Sequence, residues 1–185
     1  MSHSIIVAQM VGHPYLDRSS LHGAFRALDA RLDAPVTLIV GGGTAMMLAH
    51  GLPVRNRDVV AYTARGHLDD LGPLLREVAQ EVGLSSDWLN PYFETFTHVL
   101  PSDYGSRLQE VFAGKRLRVM ALGVEDLLIM KCFAGREKDV GHARALLRKK
   151  PDLAIVDGRI QQLIEKGIKG AREAGDFLDD LGDAG

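Results

Sequence analysis

With 185 residues, 46% of them hydrophobic and 25% charged, the chain has the composition of one globular domain, alone or with a helical tail. Its net charge of -2 argues against broad, nonspecific nucleic-acid binding but leaves room for a local basic patch. The single cysteine, Cys132, excludes an intrachain disulfide and a zinc knuckle.

No apolar run is long enough to span a bilayer, so no membrane partner is expected. Residues 1–7 lack the basic segment and long apolar core of a signal peptide, and a soluble cytoplasmic protein is expected. Asp17 can cap a helix running to about residue 32, with Leu21, Phe25, Leu28 and Leu32 at helical spacing. Pro35 interrupts, and residues 36–40 read as a buried strand. Residues 44–50 form a short helix stopped by Gly51 and Pro53. A second strand follows at 59–63, then a helix over 67–82.

Residues 87–100 read as loop and strand, and 104–112 as a short helix. Residues 117–122 alternate as a strand, and 124–134 make a strongly apolar helix. Beyond a turn at Gly135, a helix covers 139–149, a last amphipathic one covers 157–173, and the end is expected to fray. Strands mixed with helices of this length define an α/β or α+β domain.

Chemistry concentrates at two neighbouring segments, Gly41-Gly-Gly-Thr44 and Arg55-Asn-Arg-Asp58. Three glycines after a buried strand let another group approach the backbone, and the helix behind them aims amides at that space. The spacing fits neither a dinucleotide fold nor a P-loop, and a tight turn with no ligand is the plain alternative. Asp58 opens a strand and should share a face with Val60 two residues on. An acid at position 60 would complete a metal-binding pair, and valine cannot ligate.

These residues resemble the nucleotidyltransferase superfamily, specifically small bacterial proteins of the DUF6036 type and their toxin-antitoxin-associated relatives. The resemblance runs through Gly42-Gly-Thr-Ala-Met46, Arg55-Asn-Arg-Asp-Val-Val60, Trp88-Leu-Asn90 and the stretch from Glu125 to Asp139. It implies a nucleotidyltransferase-like core, a small mixed sheet flanked by helices, over residues 1–150. A C-terminal helical extension over 151–185 would pack on that core.

The resemblance further implies that Gly42, Gly43 and Thr44 cradle a triphosphate, that Asp58 holds Mg2+, and that Arg55 or Arg57 neutralises phosphate. Lys131 and Asp139 would line the same cleft, with Lys131 beside Asp58 in the chemistry. The implied activity is transfer of a nucleotide from a nucleoside triphosphate to a protein, a tRNA end or a small molecule. The chain departs from the pattern at Asn56, where threonine is preferred, and at Val60, where the second metal-binding aspartate belongs. A catalytically inactive relative that binds a nucleotide or a partner is therefore the alternative. A third carboxylate is expected on a later strand, with Glu94 a candidate.

Plainer roles stand beside these. Asp139 fits a helix N-cap, Lys131 can extend to solvent, and a break at Gly135 keeps Arg136 off an apolar face. Asp139 and His142 fit a pair on a helix surface, and Cys132 and Trp88 fit packed positions. Ile160, Leu163, Ile164 and Ile168 can supply a homodimer surface.

Overall fold

The computed structural model describes residues 15–183. Residues 1–7, read above for a leader, lie outside that range. A five-stranded mixed sheet in the order β3-β2-β1-β5-β4 forms the centre, with helices around it. The strands are β1 (Val36–Val40), β2 (Val59–Thr63), β3 (Leu89–Asn90), β4 (Gln109–Ala113) and β5 (Leu117–Ala121). β1 is central: it pairs antiparallel with β2 and parallel with β5. Its last three residues, Leu38, Ile39 and Val40, are buried, which is why it reads as a continuous apolar run.

Seven α-helices complete the described fold: α1 (Arg18–Arg31), α2 (Gly42–Leu48), α3 (Gly72–Val82), α4 (Val124–Ala134), α5 (Glu137–Leu147), α6 (Leu153–Glu165) and α7 (Ala171–Asp183). Asp17 caps α1 as expected, with its carboxylate accepting from the Ser20 amide at 2.7 Å. Later in α1, the Asp29 carboxylate accepts from the amides of Lys115, Arg116 and Leu117 at 3.0, 2.7 and 2.7 Å, which fixes the β4–β5 hairpin to the helix. α4 is buried nearly all round, and α2, α5, α6 and α7 pack on it.

Four expectations are corrected. Residues 91–99 form a 3-10 helix, and only Leu89–Asn90 pair as strand. Phe93, Phe96 and Val99 recur every third residue, the period of that helix, and so place one edge inward. The expected helix at 104–112 is a 3-10 turn, Tyr104–Arg107, followed by β4. The single last helix is two, α6 and α7, divided where Gly167 and Gly170 take positive φ of 66° and 84°. Finally, the proposed dimer face is used internally: Ile160 and Leu163 are buried, and Ile164 and Ile168 pack against the core.

Candidate functional site

The turn from β1 into α2 is built by three glycines with three different tasks. A Cβ on Gly41 would lie 2.5 Å from the Phe93 ring. Gly42 has φ +57°, and a Cβ there would lie 2.8 Å from Val60 Cγ2. At Gly43 a Cβ would overlap the Asn56 amide. Much of the room that the glycines open is therefore filled by the protein's own side chains. Val60, where a carboxylate was sought, lays a methyl group against Gly42 instead.

Beside this turn lies a cleft of about 520 Å3. Gly42, Gly43, Arg55, Asn56, Arg57, Asp58 and Val60 form one wall. A second wall comes from Tyr92, Phe93 and Phe96 on the 3-10 helix. Leu127, Met130, Lys131 and Ala134 face in from α4, at the spacing of one helix face. Arg136, Lys138 and His142 close it from the start of α5. Arg55, Arg57, Arg136 and Lys138 thus line the cleft with one carboxylate, and a fifth cation, Lys131, is paired with the buried Asp139, in a chain whose net charge is -2. Its field favours anions.

Asp58 and Val60 share this cleft, as expected for positions i and i+2 of a strand. The partner against Asp58 is not a second acid. Asn90 donates its amide to the Asp58 carboxylate at 2.6 Å, while its own oxygen accepts from the Tyr92 amide at 3.1 Å. The parallel pairing of β3 with β2 puts Asn90 opposite Val60 and so beside Asp58. Glu94 is exposed on the 3-10 helix and does not line the cleft.

At the rim, the Arg55 and Arg57 guanidiniums stand 5.4 and 5.3 Å from the centre of the Tyr15 ring. A hydrogen bond from Arg57 and its charge, with Arg55 behind, hold the Tyr15 phenol below its ordinary pKa. Tyr15 is fixed through its neighbour: the Leu16 amide donates to the Asn56 carbonyl at 2.7 Å. The Asn56 side chain is different. Its Nδ2 is buried and has no hydrogen-bond partner among the described residues.

Lys131 and Asp139 meet below. The Lys131 ammonium donates to Asp139 at 2.6 Å, and both side chains are almost wholly buried, at 8% and 0% exposure. Arg136 Nε reaches the other oxygen at 2.7 Å. Burial alone would raise the Asp139 pKa, but the bonds from Arg136 and Lys131 outweigh it and hold the carboxyl below its ordinary value. Lys131 does not extend to solvent, and Asp139 is not the N-cap. Gly135 ends α4 at φ +54°, Arg136 caps α5, and Asp139 is its third residue, accepting from the Arg136 amide at 3.4 Å. His142 lies beside this buried carboxylate rather than in a surface pair, and burial lowers its pKa.

Thr44 is buried outside the cleft lining, its hydroxyl 3.5 Å from the Asp58 carbonyl. Cys132 is buried and its thiol is pushed up to about 12, too high for a nucleophile. Trp88 is fully buried and donates to the Leu75 carbonyl at 3.1 Å. Sequence reasoning missed Arg136, Lys138, Tyr15 and the role of Asn90. Asn90 belonged to a quoted motif, but only the β2–β3 pairing reveals its target.

The mixed sheet, the glycine turn and Asp58 at the head of β2 agree with the match to a family model. The family is described as a nucleotidyltransferase of unknown function (DUF6036); its model matches residues 20–178, and the chain belongs to it. No curated protein and no solved structure matches the chain. Nucleotidyltransferase-like families act on nucleotides and generally use divalent metals. Among the described residues no helix is long and apolar enough to cross a membrane.

The residues of this cleft fit a protein-held divalent cation poorly. Among the described residues, no group of three or more His, Cys, Asp or Glu side chains could hold a metal. Asp58 has one oxygen engaged by the Asn90 amide, and cations line the same cleft. Hard cations need carboxylates or other oxygens in number. Here the carboxylate stands alone.

Proposed function

We propose that the cleft binds a nucleoside triphosphate through its phosphates, in a nucleotidyltransferase frame that acts as a binding module. The carrying observation is the set of cations in the lining, Arg55, Arg57, Arg136 and Lys138 with Lys131 beside them, against the single carboxylate of Asp58. Gly42 and Gly43 stand on the same wall, beside Val60 and Asn56. Lys131 and Arg136 contribute charge from positions fixed by Asp139. Val60 and the amide at Asn90 explain why transfer is not the first reading: neither can ligate a cation as an aspartate would.

A second reading is favoured by family membership and by Asp58 itself. In it, the protein transfers a nucleotide from a nucleoside triphosphate to a protein, a tRNA end or a small molecule, with Mg2+. One titration series separates the two. Each nucleoside triphosphate is added with and without Mg2+ while binding, pyrophosphate release and acceptor labelling are followed. Metal-independent binding without turnover supports the binding module. Metal-dependent turnover abolished by Asp58→Ala supports the transferase, and no binding at all sinks both. Asp58→Asn adds a difference in sign. It removes the one carboxylate of the lining, so a binding module gains affinity by about fivefold, whereas a metal-dependent site loses it.

A further inference from the structure

The cleft has a wall that phosphate binding does not use. Tyr92 is 48% exposed, and it is one of only three large hydrophobic side chains exposed among the described residues. Tyr15, at 50%, is another, and it also lines the cleft. Tyr92 is held edge-on to Phe96, with ring centres 5.4 Å apart and planes at 75°. Phe93 is not available beside them, because it is fully buried and stacks on Tyr62 at 4.9 Å. Tyr92, Asp58 and Arg136 line the same cleft, so the aromatic wall adjoins the cationic one. From the third side α4 adds Leu127, Met130 and Ala134.

We infer that Tyr92, braced by Phe96, is the stacking platform for the nucleobase, and that the site takes all four bases without selecting among them. The inference rests on the phosphate-binding reading above. Its first support is geometric: a held aromatic ring with an open surface, next to the cations that would receive the triphosphate. Its second is the polar inventory. Strong selection among bases needs fixed donors or acceptors that a wrong base leaves unpaired. The neutral polar groups of the lining are turned away from a base: the unpaired Asn56 Nδ2 and His142 Nδ1 are buried, against Gly43 and beside Asp139, and Tyr15 stands against two arginines. The Tyr92 hydroxyl remains, and it both donates and accepts, so it satisfies any base edge. Stacking on an aromatic side chain is tolerant because every base has a π-face.

The test compares ATP, GTP, CTP, UTP and inorganic tripolyphosphate on the full chain, in wild type, Tyr92→Ala and Tyr92→Phe. Because Tyr92 is half exposed, neither variant threatens the fold. The expected result is four nucleotides within about tenfold of one another, each roughly 5- to 100-fold tighter than tripolyphosphate. Tyr92→Ala should bring all four down toward tripolyphosphate, and Tyr92→Phe should keep the wild-type order. One base favoured by more than about tenfold overturns the inference, since that requires hydrogen-bonded reading. So does a Tyr92→Phe variant that falls as far as Tyr92→Ala. Nucleotides that bind no tighter than tripolyphosphate overturn the stacking platform and leave the phosphate reading intact. If tripolyphosphate and nucleotides all fail to bind, the phosphate reading itself falls.

Discussion

Replacing Asp139 with alanine leaves the Lys131 ammonium without its 2.6 Å partner at a side chain only 8% exposed. Removing one member of a buried pair costs about 3–5 kcal/mol, because the other charge stays behind uncompensated. The second contact, from Arg136, adds little: its side chain is 45% exposed and screened by water, worth about 0.5 kcal/mol. The expected loss is therefore about 4 kcal/mol. At about 2–4 °C per kcal/mol for a chain of this size, the melting temperature should fall by about 8–16 °C. The double variant Lys131→Met, Asp139→Leu removes both charges and keeps the volume, and should return to within about 1 kcal/mol of wild type. Urea unfolding followed by circular dichroism, with an unchanged m value, measures both. A loss under about 1 kcal/mol in Asp139→Ala would refute the reasoning, since it would mean that Lys131, whose pKa burial already lowers, gives up its proton or reaches water once its partner is gone.

Gly43→Ala should destabilise by about 1–3 kcal/mol, because its Cβ must displace the Asn56 amide. Gly23→Ala, within α1 and with nothing in the way of a Cβ, should stabilise by about 0.5–1 kcal/mol; chemical unfolding of the two variants should give opposite signs. Val60→Asp places a second carboxylate on the face of Asp58, in a lining position. It should bind Mn2+ measurably more tightly than wild type by calorimetry, and equal affinity would show that Val60 is not what weakens the site. The Asp29 and Asp139 carboxyls are held below their ordinary pKa, Asp29 by the amides of Arg116, Leu117 and Lys115. A depressed folded pKa gives stability that is fully present above the unfolded value of about 4 and is lost as pH falls through the folded one. Acid should thus unfold the protein below about pH 4, and Asp29→Asn should flatten that limb. An unchanged profile in Asp29→Asn would remove the hairpin clamp from the explanation.

The strands that carry the cleft were legible because burial imprints itself locally. Leu38, Ile39 and Val40 form a continuous apolar run in the sheet centre, and Val59, Ala61 and Thr63 alternate with half-buried neighbours. The 3-10 helix was not legible as such, since its three-residue period in Phe93, Phe96 and Val99 matches neither the strand nor the α-helical template. β4 failed for another reason. As an edge strand with Gln109, Glu110 and Ala113 exposed, it shows no buried alternation. Asp139 suits the third position of a helix as well as the cap, and only the left-handed Gly135 and the extended backbone of Arg136 decide between them. The Lys131–Asp139 bond and the Asn90–Asp58 bond cross a helix break and a strand pairing, and residue types at a spacing cannot encode either.

The grip of Asp29 on the amides of residues 115–117 closes a loop of 86 to 88 residues. During synthesis, α1 and β1 leave the ribosome long before the strand that will lie parallel to β1 exists. Until Leu117 to Ala121 arrive, one long edge of β1 is open, with its amides and carbonyls unpaired and its apolar side chains bare. Search for a distant parallel partner is slow, because loop-closure entropy is lost before the contacts form. The nascent chain should therefore depend on a holding chaperone, or on its first helices shielding that edge, more than a helical bundle of equal length would.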